Sequence, residues 1–321
     1  MPETWIVTDG AVGMEAQGIA VAKAVGLPYH LKRVNPTGPI RFVPTRFQHL
    51  LPPETRIDAV LPAAKLAPPW PRLVISIGRR SVPFALAISK LGGAFGVHIQ
   101  DPKVPARLFD LIAAPAHDGF AAPNAVTTFG AVHSVTAERL AEASAAYEPK
   151  LSGLPRPFIT VLLGGDSRAF KFPPEVGASF GGALAKLAEE TGGTLLVTPS
   201  RRTSSKTLRT LAKAIENVPH QIWDGTGENP YLAFLSLADA VVVTEDSVNM
   251  VTEAAGTGKP VYVQSLPGKS KRLARFHALM REHGATRPFE GHIDTFDYAP
   301  INDTEAVAAP IRKALGLEPR G

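Results

Sequence analysis

The sequence predicts an α/β protein made of two domains, each built on a parallel sheet, and three observations carry that expectation. A chain of 321 residues is long for one hydrophobic core and comfortable for two, since domains run to roughly 100–200 residues. Short runs rich in Val and Ile alternate with longer amphipathic stretches rich in Ala and Leu, the pattern of βαβ units. The alternation breaks at Glu148-Pro149-Lys150-Leu151-Ser152-Gly153-Leu154-Pro155-Arg156-Pro157, which suits neither a helix nor an interior strand, and then restarts. The break divides the chain into domains 1–150 and 151–321.

In the first half, strands are expected near Trp5–Thr8, Tyr29–Arg33, Leu73–Ile77, Gly96–Gln100, Leu111–Ala113 and Ala125–Thr127, with helices near Met14–Val25, Val82–Leu91 and Ala137–Tyr147. In the second, strands fall near Phe158–Leu163, Thr194–Thr198, Gln221–Trp223, Ala240–Val243 and Val261–Val263. Helices follow near Pro174–Thr191, Ser205–Asn217, Pro230–Ala238, Val248–Gly256 and Lys271–His283. An irregular stretch from Thr286 to Asn302 precedes a last helix, Asp303–Leu315, which has no evident sheet partner and is expected to pack back on the first domain. Two such halves facing one another would hold ligands at the C-terminal ends of their strands, in the cleft between them.

Composition narrows the function. Hydrophobic residues make up 45% and charged residues 20%, which excludes a disordered chain or a fibre. With no cysteine, a disulfide scaffold, a thiol nucleophile, a Cys-ligated zinc site and an iron–sulfur cluster are excluded, and an intracellular location fits. The net charge is +5, with +4 falling in residues 1–150 and +1 in 151–321, too little and too dispersed for a nucleic-acid footprint. No run approaches the ~20 apolar residues of a membrane span, and Met1-Pro2-Glu3-Thr4 leads straight into a strand without a basic leader. A cytoplasmic protein, neither exported nor embedded, is the expectation.

The candidate site residues collect in loops after strands. Thr8-Asp9-Gly10-Ala11-Val12-Gly13-Met14-Glu15-Ala16-Gln17 places Gly10 and Gly13 around a strand-to-helix turn. It reads either as a tight turn with Asp9 as helix cap, or as a phosphate or sugar contact with Asp9 available as a base. No G-x-G-x-x-G occurs, so NAD chemistry lacks its fingerprint. Ser76-Ile77-Gly78-Arg79-Arg80-Ser81 offers two arginines whose planar forks suit phosphate or carboxylate; their alternative role is to form salt bridges. In Val97-His98-Ile99-Gln100-Asp101-Pro102, His98 reads as a core histidine, while Gln100 and Asp101 lie just past the strand. Asp101 either serves the site or starts a turn.

The second half repeats the arrangement. Gly164-Gly165-Asp166-Ser167 reads as an anion-binding loop or a plain Gly-Gly turn, and Thr198-Pro199-Ser200-Arg201-Arg202-Thr203-Ser204 sets two more arginines among hydroxyls, with Thr203 or Ser204 as a cap. Thr244-Glu245-Asp246-Ser247 opens a helix on which Asn249 and Glu253 share a face. Its N-terminus suits a diphosphate and Glu253 suits the two hydroxyls of a ribose. The alternatives are that Asp246 caps the helix and Glu253 pairs with Lys259. Gly256-Thr257-Gly258-Lys259 imitates the end of a P-loop, but Glu253 stands where the first glycine belongs, Pro260 stands where Ser or Thr is needed, and the order is helix-to-strand.

The segment around Asp246–Glu253 resembles the sugar-nucleotide site of GT-B glycosyltransferases. More specifically, the chain resembles the mitochondrial-fission Elm family, glycosyltransferase-like proteins with many bacterial members. The resemblance is carried by Thr8-Asp9-Gly10 with Gly13 and Gln17, Gly78-Arg79-Arg80-Ser81, His98-Ile99-Gln100-Asp101-Pro102, Thr198 to Thr203, Trp223-Asp224-Gly225-Thr226-Gly227-Glu228-Asn229-Pro230-Tyr231, and Thr244 through Pro260. It runs from about residue 4 to 315, and Asp166 departs from it by putting a negative charge into a phosphate loop.

The resemblance implies a GT-B-like fold, two Rossmann-like domains whose parallel sheets face across a cleft, with the acceptor in the first and the sugar nucleotide in the second. It implies transfer from a nucleoside diphosphate sugar, taken as co-substrate with no cofactor and no metal, to an acceptor hydroxyl or amine. Gly164, Gly165, Ser167, Ser200, Arg201, Arg202, Thr244, Asp246, Ser247, Asn249 and Glu253 would hold the donor, with Arg201, Arg202 and the Ser247 helix start stabilising the leaving diphosphate. Asp9, or else Asp101, would deprotonate the acceptor, with Gly10, Gly13, Gln17, Arg79, Arg80 and Gln100 around it. Other readings are a non-catalytic scaffold, because plant members are implicated in recruiting the division machinery to mitochondria, and a sugar-nucleotide epimerase. Lys32, Arg33, Arg41 and Arg46 near Phe42 and Phe47 either meet an anionic bilayer beside a lipid-linked acceptor or form a solvated connector.

Overall fold

The computed structural model describes residues 3–60 and 62–317. The chain forms two compact units, Met1–Ser134 with Asn302–Gly321, and Val135–Ile301.

The first unit runs β1 (Thr4–Thr8), α1 (Val12–Val25), β2 (Tyr29–Arg33), α2 (Thr45–Gln48), α3 (Pro53–Asp58), β3 (Leu73–Ile77), α4 (Val82–Gly92), β4 (Phe95–Ile99), β5 (Leu111–Pro115) and β6 (Ala125–Thr128). The strands form one parallel sheet in the order β2-β1-β3-β4-β5-β6. Every residue of β1 and β3 is buried, as helices on both faces of a parallel sheet require. Helix α1 lies close on the sheet because Gly18 has no side chain: a Cβ there would sit 2.6 Å from both Ile6 and Ile77. Glu15, buried on α1, accepts both Nε (2.7 Å) and Nη2 (2.9 Å) of Arg33 and so ties α1 to β2.

The second unit runs α5 (Ala137–Tyr147), β7 (Phe158–Leu163), α6 (Pro174–Thr191), β8 (Thr194–Pro199), α7 (Ser205–Ala214), β9 (His220–Ile222), α8 (Tyr231–Leu237), β10 (Ala240–Thr244), α9 (Val248–Ala255), β11 (Val261–Gln264), α10 (Lys271–Glu282) and β12 (Thr286–Pro288). This sheet is also wholly parallel, in the order β12-β11-β10-β7-β8-β9. Strand β12 corrects the expectation of irregular structure after Thr286. It is a three-residue edge strand, where Pro288 costs no interior hydrogen bond. The last helix, α11 (Thr304–Ala314), packs on α1 of the first unit, with Arg312 donating to the Ala24 carbonyl at 2.8 Å.

The units divide at 134/135 instead of within 148–157, because α5 packs on α8. Tyr147 sets its ring 5.4 Å from Phe234 and its hydroxyl accepts from Gln221 at 2.8 Å. Residues 148–151 continue as a 3-10 turn that buries Leu151. Lys259 of the P-loop imitation donates to the carbonyls of Ser236 and Ala238, a purely structural use that burial accompanies with a lowered lysine pKa.

Both sheets reverse direction beside their first strand. In the first unit the chain leaves β1 toward β2 and returns to β3 on the other side; in the second it leaves β7 toward β8 and β9 and returns to β10. The β1/β3 and β7/β10 pairs are therefore the switch points, where loops at the strand ends diverge and open a crevice.

Gly18→Val should lower unfolding free energy by about 1–3 kcal/mol, because two branched side chains already occupy the space its methyls would need. Urea denaturation followed by far-UV circular dichroism reads the change as a lower midpoint at constant slope.

Candidate functional site

At the second switch point the loops after β7, β8 and β10 are bound together by one carboxylate. Asp246, whose side chain is fully buried, accepts from Gly165 N–H (3.1 Å), the Thr244 hydroxyl (2.7 Å) and Arg202 Nη1 (2.6 Å). Thr244 in turn accepts from Gly164 N–H at 2.8 Å, and Arg202 donates to the Gly165 carbonyl at 3.2 Å. Ser200 and Thr203 donate to the Gly164 carbonyl from the β8 loop. The two glycines are steric necessities. A Cβ on Gly164 would lie 2.1 Å from Asp246 Oδ1, and one on Gly165 would lie 2.0 Å from the Arg202 carbonyl oxygen.

These bonds revise several expected roles. Asp246 is not the cap of α9; Ser247 is, its Oγ accepting from Met250 N–H at 3.4 Å. In the same way Ser204, accepting from Thr207 N–H at 3.0 Å, caps α7. The N–H groups of Gly164 and Gly165 are already engaged, so they offer no open anion nest. Ser167 accepts from Ala169 and Phe170 N–H within its own turn. Asp166 accepts from Phe172 N–H at 2.8 Å, which holds its carboxyl below the usual range, and pairs with Lys171. Its charge is spent inside the loop. Of the paired arginines, Arg202 neutralises Asp246, while Arg201 is exposed without a hydrogen bond or ion pair among the described residues.

Glu253 lies on α9 beyond this network. It does not pair with Lys259; instead its Oε2 accepts from the Tyr231 hydroxyl at 2.5 Å. Burial pushes the Glu253 carboxyl up to about 7, against the opposing pull of that hydrogen bond and of Arg139, and pushes the Tyr231 phenol well above its ordinary value. Tyr231 begins α8, where Asn229 Oδ1 accepts its N–H at 3.0 Å, and it borders a cavity of about 280 Å³ with Tyr147, Lys150 and Glu228. The pairing of Tyr231 with Glu253 was not foreseen. Its one sequence signal is that a Tyr follows the turn 223–230, which carries Gly225, Gly227 and Pro230. Asn249 stands one turn nearer the start of α9 than Glu253.

At the first switch point Asp9 and the Gly78 turn lie side by side at the ends of the paired strands β1 and β3. Asp9 Oδ1 accepts from Ala11 N–H at 3.3 Å, forming a turn ahead of α1 instead of capping it. Gly78 is at φ +80° and a Cβ there would meet the Met14 sulfur at 2.8 Å. Ser81 Oγ donates to the carbonyls of Ile77 and Gly78 and holds this turn. Arg79 and Arg80 emerge from it exposed, without an ion pair or hydrogen bond among the described residues. Gly10 is at φ +92°, Gly13 is half-buried and Gln17 is buried on α1.

After β4, Gln100 takes φ +84°, a left-handed conformation that costs a non-glycine residue roughly 1–2 kcal/mol. Asp101 accepts from Lys103 N–H at 2.9 Å and forms an ion pair with the same side chain. Asp101 is thus committed to its own turn, whereas Asp9 accepts from Ala11 N–H and has no ion pair among the described residues. His98 is a core residue: fully buried, its Nδ1 2.8 Å from the Ser76 hydroxyl, its pKa taken by burial down to about 3.

A cavity of about 1080 Å³ opens among Trp70, Arg72, Lys90, Phe95, Arg107 and Leu315, at the N-terminal ends of the strands. It is therefore at the opposite end of the sheet from the switch-point loops. Among the described residues no three His, Asp or Glu side chains are grouped as metal ligands, and no helix is long and apolar enough to cross a membrane.

Residues 12–315 match the family described as mitochondrial fission ELM1. The chain is 30% identical over 274 residues to the mitochondrial fission protein ELM1 of Arabidopsis thaliana, a match spanning 76% of this chain and 64% of the plant protein. Among solved structures it is similar to the UDP-GlcNAc 2-epimerase of Methanocaldococcus jannaschii (14% identity, 98% and 99% of the two chains, TM-score 0.58). It is also similar to the glycosyltransferase SnogD of Streptomyces nogalater (14% identity, 98% and 95%, TM-score 0.52). At such identities these likenesses bear on fold alone: the architecture is GT-B-like.

Asp246→Ala should destabilise the second unit by about 2–3 kcal/mol, since it strands the Gly165 N–H and the Thr244 hydroxyl. Arg202→Ala should cost less, because its side chain is 40% exposed and solvent screens the pair. Chemical denaturation of both variants checks the order. Glu253 adds a pH signature. Its folded pKa of about 7 lies above the ordinary 4.5, so between these values the folded chain keeps a proton that the unfolded chain has released. Stability therefore falls as pH rises across that window and levels off above it, and Glu253→Gln should flatten the slope in thermal melts.

Proposed function

The chain belongs to the mitochondrial fission ELM1 family, and from that premise we propose that it is a glycosyltransferase that moves a sugar from a nucleoside diphosphate sugar to an acceptor hydroxyl or amine. The observation that carries the reading is the bond from Tyr231 at the start of α8 to Glu253 on α9, the helix that starts at the second switch point. A carboxylate fixed by a phenol on one oxygen keeps its other lone pairs for the vicinal hydroxyls of a ribose. The first turn of α9 supplies N–H groups and a positive dipole end to a diphosphate, and the unpaired guanidinium of Arg201 supplies a full charge from the neighbouring loop. Solved proteins of this architecture whose names include UDP-GlcNAc and glycosyltransferase support the same class of donor.

In the transfer step the acceptor oxygen or nitrogen forms a bond to the anomeric carbon as the bond from that carbon to the diphosphate oxygen breaks. The diphosphate leaves with the electron pair, stabilised by Arg201 and the α9 start. The acceptor proton passes to Asp9. Arg79 and Arg80, exposed beside Asp9 and without an ion pair among the described residues, attract an acceptor that carries negative charge.

Thermal-shift screening with UDP-, GDP-, ADP- and CMP-sugars should find stabilisation by one nucleotide class. Isothermal titration should then show that Glu253→Gln and Arg201→Ala each weaken it by roughly tenfold or more. Because the ribose needs the carboxylate form, affinity should rise as pH is raised through about 7, and Glu253→Gln should remove that dependence. Asp9→Asn should abolish transfer while sparing donor binding; equal loss of both would sink its role as base. Stabilisation by no nucleotide would favour a non-catalytic scaffold of the family, and a sugar product of inverted configuration formed without acceptor would favour an epimerase.

A further inference from the structure

The segment between β2 and α3 has a composition and a shape that the nucleotide site does not use. No Asp or Glu occurs between Glu15 and Glu54. Within that acid-free stretch Phe42 is 75% exposed, Leu50 71% and Phe47 46%. Large apolar side chains this exposed and this close together on a water-soluble surface mark a contact site. Arg41 sits over the Phe42 ring and Arg46 over the Phe47 ring, each at 4.7 Å. The turn is held from beneath: Gln48, 3% exposed, donates to the carbonyls of Ile40 (3.0 Å) and Val43 (2.8 Å), so Arg41 and Phe42 project outward instead of folding onto the core. Beside them is a cavity of about 430 Å³ into which Arg41 and Arg80 both face, with Asn35 and Thr45 on its wall. Neither guanidinium has an ion pair or hydrogen bond among the described residues.

We propose that this segment seats the first unit on an anionic phospholipid surface, with Phe42 and Phe47 at the acyl boundary and a headgroup phosphate between Arg41 and Arg80. The chemistry favours a bilayer over an acidic protein. Aromatic rings topped by guanidinium groups match the layered order of a membrane interface, apolar below and phosphate above, and a planar arginine fork takes a phosphate by two parallel hydrogen bonds. Two or three basic residues alone bind such a surface weakly, so stable attachment needs the apolar contribution as well. The segment supplies both within ten residues, Arg41 to Leu50.

Co-sedimentation of the full chain with vesicles, in the absence of any nucleotide, tests this apart from the transferase reading. Binding to mixed phosphatidylcholine–phosphatidylglycerol vesicles is expected, with little to phosphatidylcholine alone. Arg41→Gln and Arg80→Gln should each weaken it about fivefold, and Phe42→Ala with Phe47→Ala by roughly tenfold or more. These side chains lie outside the core, so an unchanged melting midpoint shows that a loss is not unfolding. Phe42→Trp should retain binding and show a blue-shifted, bromolipid-quenched emission relative to the parent protein. Equal binding to neutral vesicles, or binding untouched by the arginine variants, would overturn the phosphate site. An unshifted Phe42→Trp emission on bound protein would overturn insertion, and failure to sediment with either vesicle would overturn the proposal as a whole.

Discussion

The carboxylate of Asp246 is the interaction on which the switch-point end of the second unit depends. Three loops follow three neighbouring strands there, and nothing in a parallel sheet obliges them to meet, because each βα connection is locally independent. Asp246 makes them meet. Buried without residual exposure, it gathers a backbone N–H from the β7 loop, a hydroxyl from the end of β10 and a guanidinium from the β8 loop. Each donor satisfies a charge that would otherwise be costly to remove from water, and the glycines at 164 and 165 leave the room that this convergence demands. The start of α9 and the position of Glu253 follow from where that knot holds the chain.

This arrangement separates support from contact among residues that look alike in sequence. Arg201 and Arg202 are neighbours, yet one is consumed in holding Asp246 and the other faces solvent. Asp166, Asp246 and Glu253 are all acids at or just beyond the second switch point, yet the first two are neutralised by partners within the fold. Glu253 differs from both: burial raises its carboxyl, and its partner is a neutral phenol. The first unit shows the same division. Glu15 and Arg33 join helix to sheet, Ser81 and Gly78 shape a turn, and Arg79 and Arg80 at its tip have no ion pair or hydrogen bond among the described residues.

Set in its family, the chain has a GT-B-like fold with unspent polar groups at both switch points. Arg79 and Arg80 stand exposed after the positive-φ turn at Gly78, and burial raises the Glu253 carboxyl toward neutrality. The acid-free, aromatic segment after β2 adds a surface of a different kind, whose apolar exposure the core does not explain.

The fold was largely legible in the sequence because both sheets are buried on two faces: runs such as Val241-Val242-Val243 and Leu73-Val74-Ile75 are apolar without alternation, and glycine or proline punctuates them. What escaped were elements too short to carry a period, namely β12 at the sheet edge and the two helices before residue 60, and the unit boundary, which depends on α5 finding α8. The candidate site was legible as a set of loops, since loop residues after parallel strands must share one end of the sheet. Which member of each loop supports and which is free was decided only in three dimensions. Residues 81 positions apart, such as Asp246 and Gly165, or 22 apart, such as Glu253 and Tyr231, become partners through strand order alone, and strand order is a property of the packed sheet that no local pattern encodes.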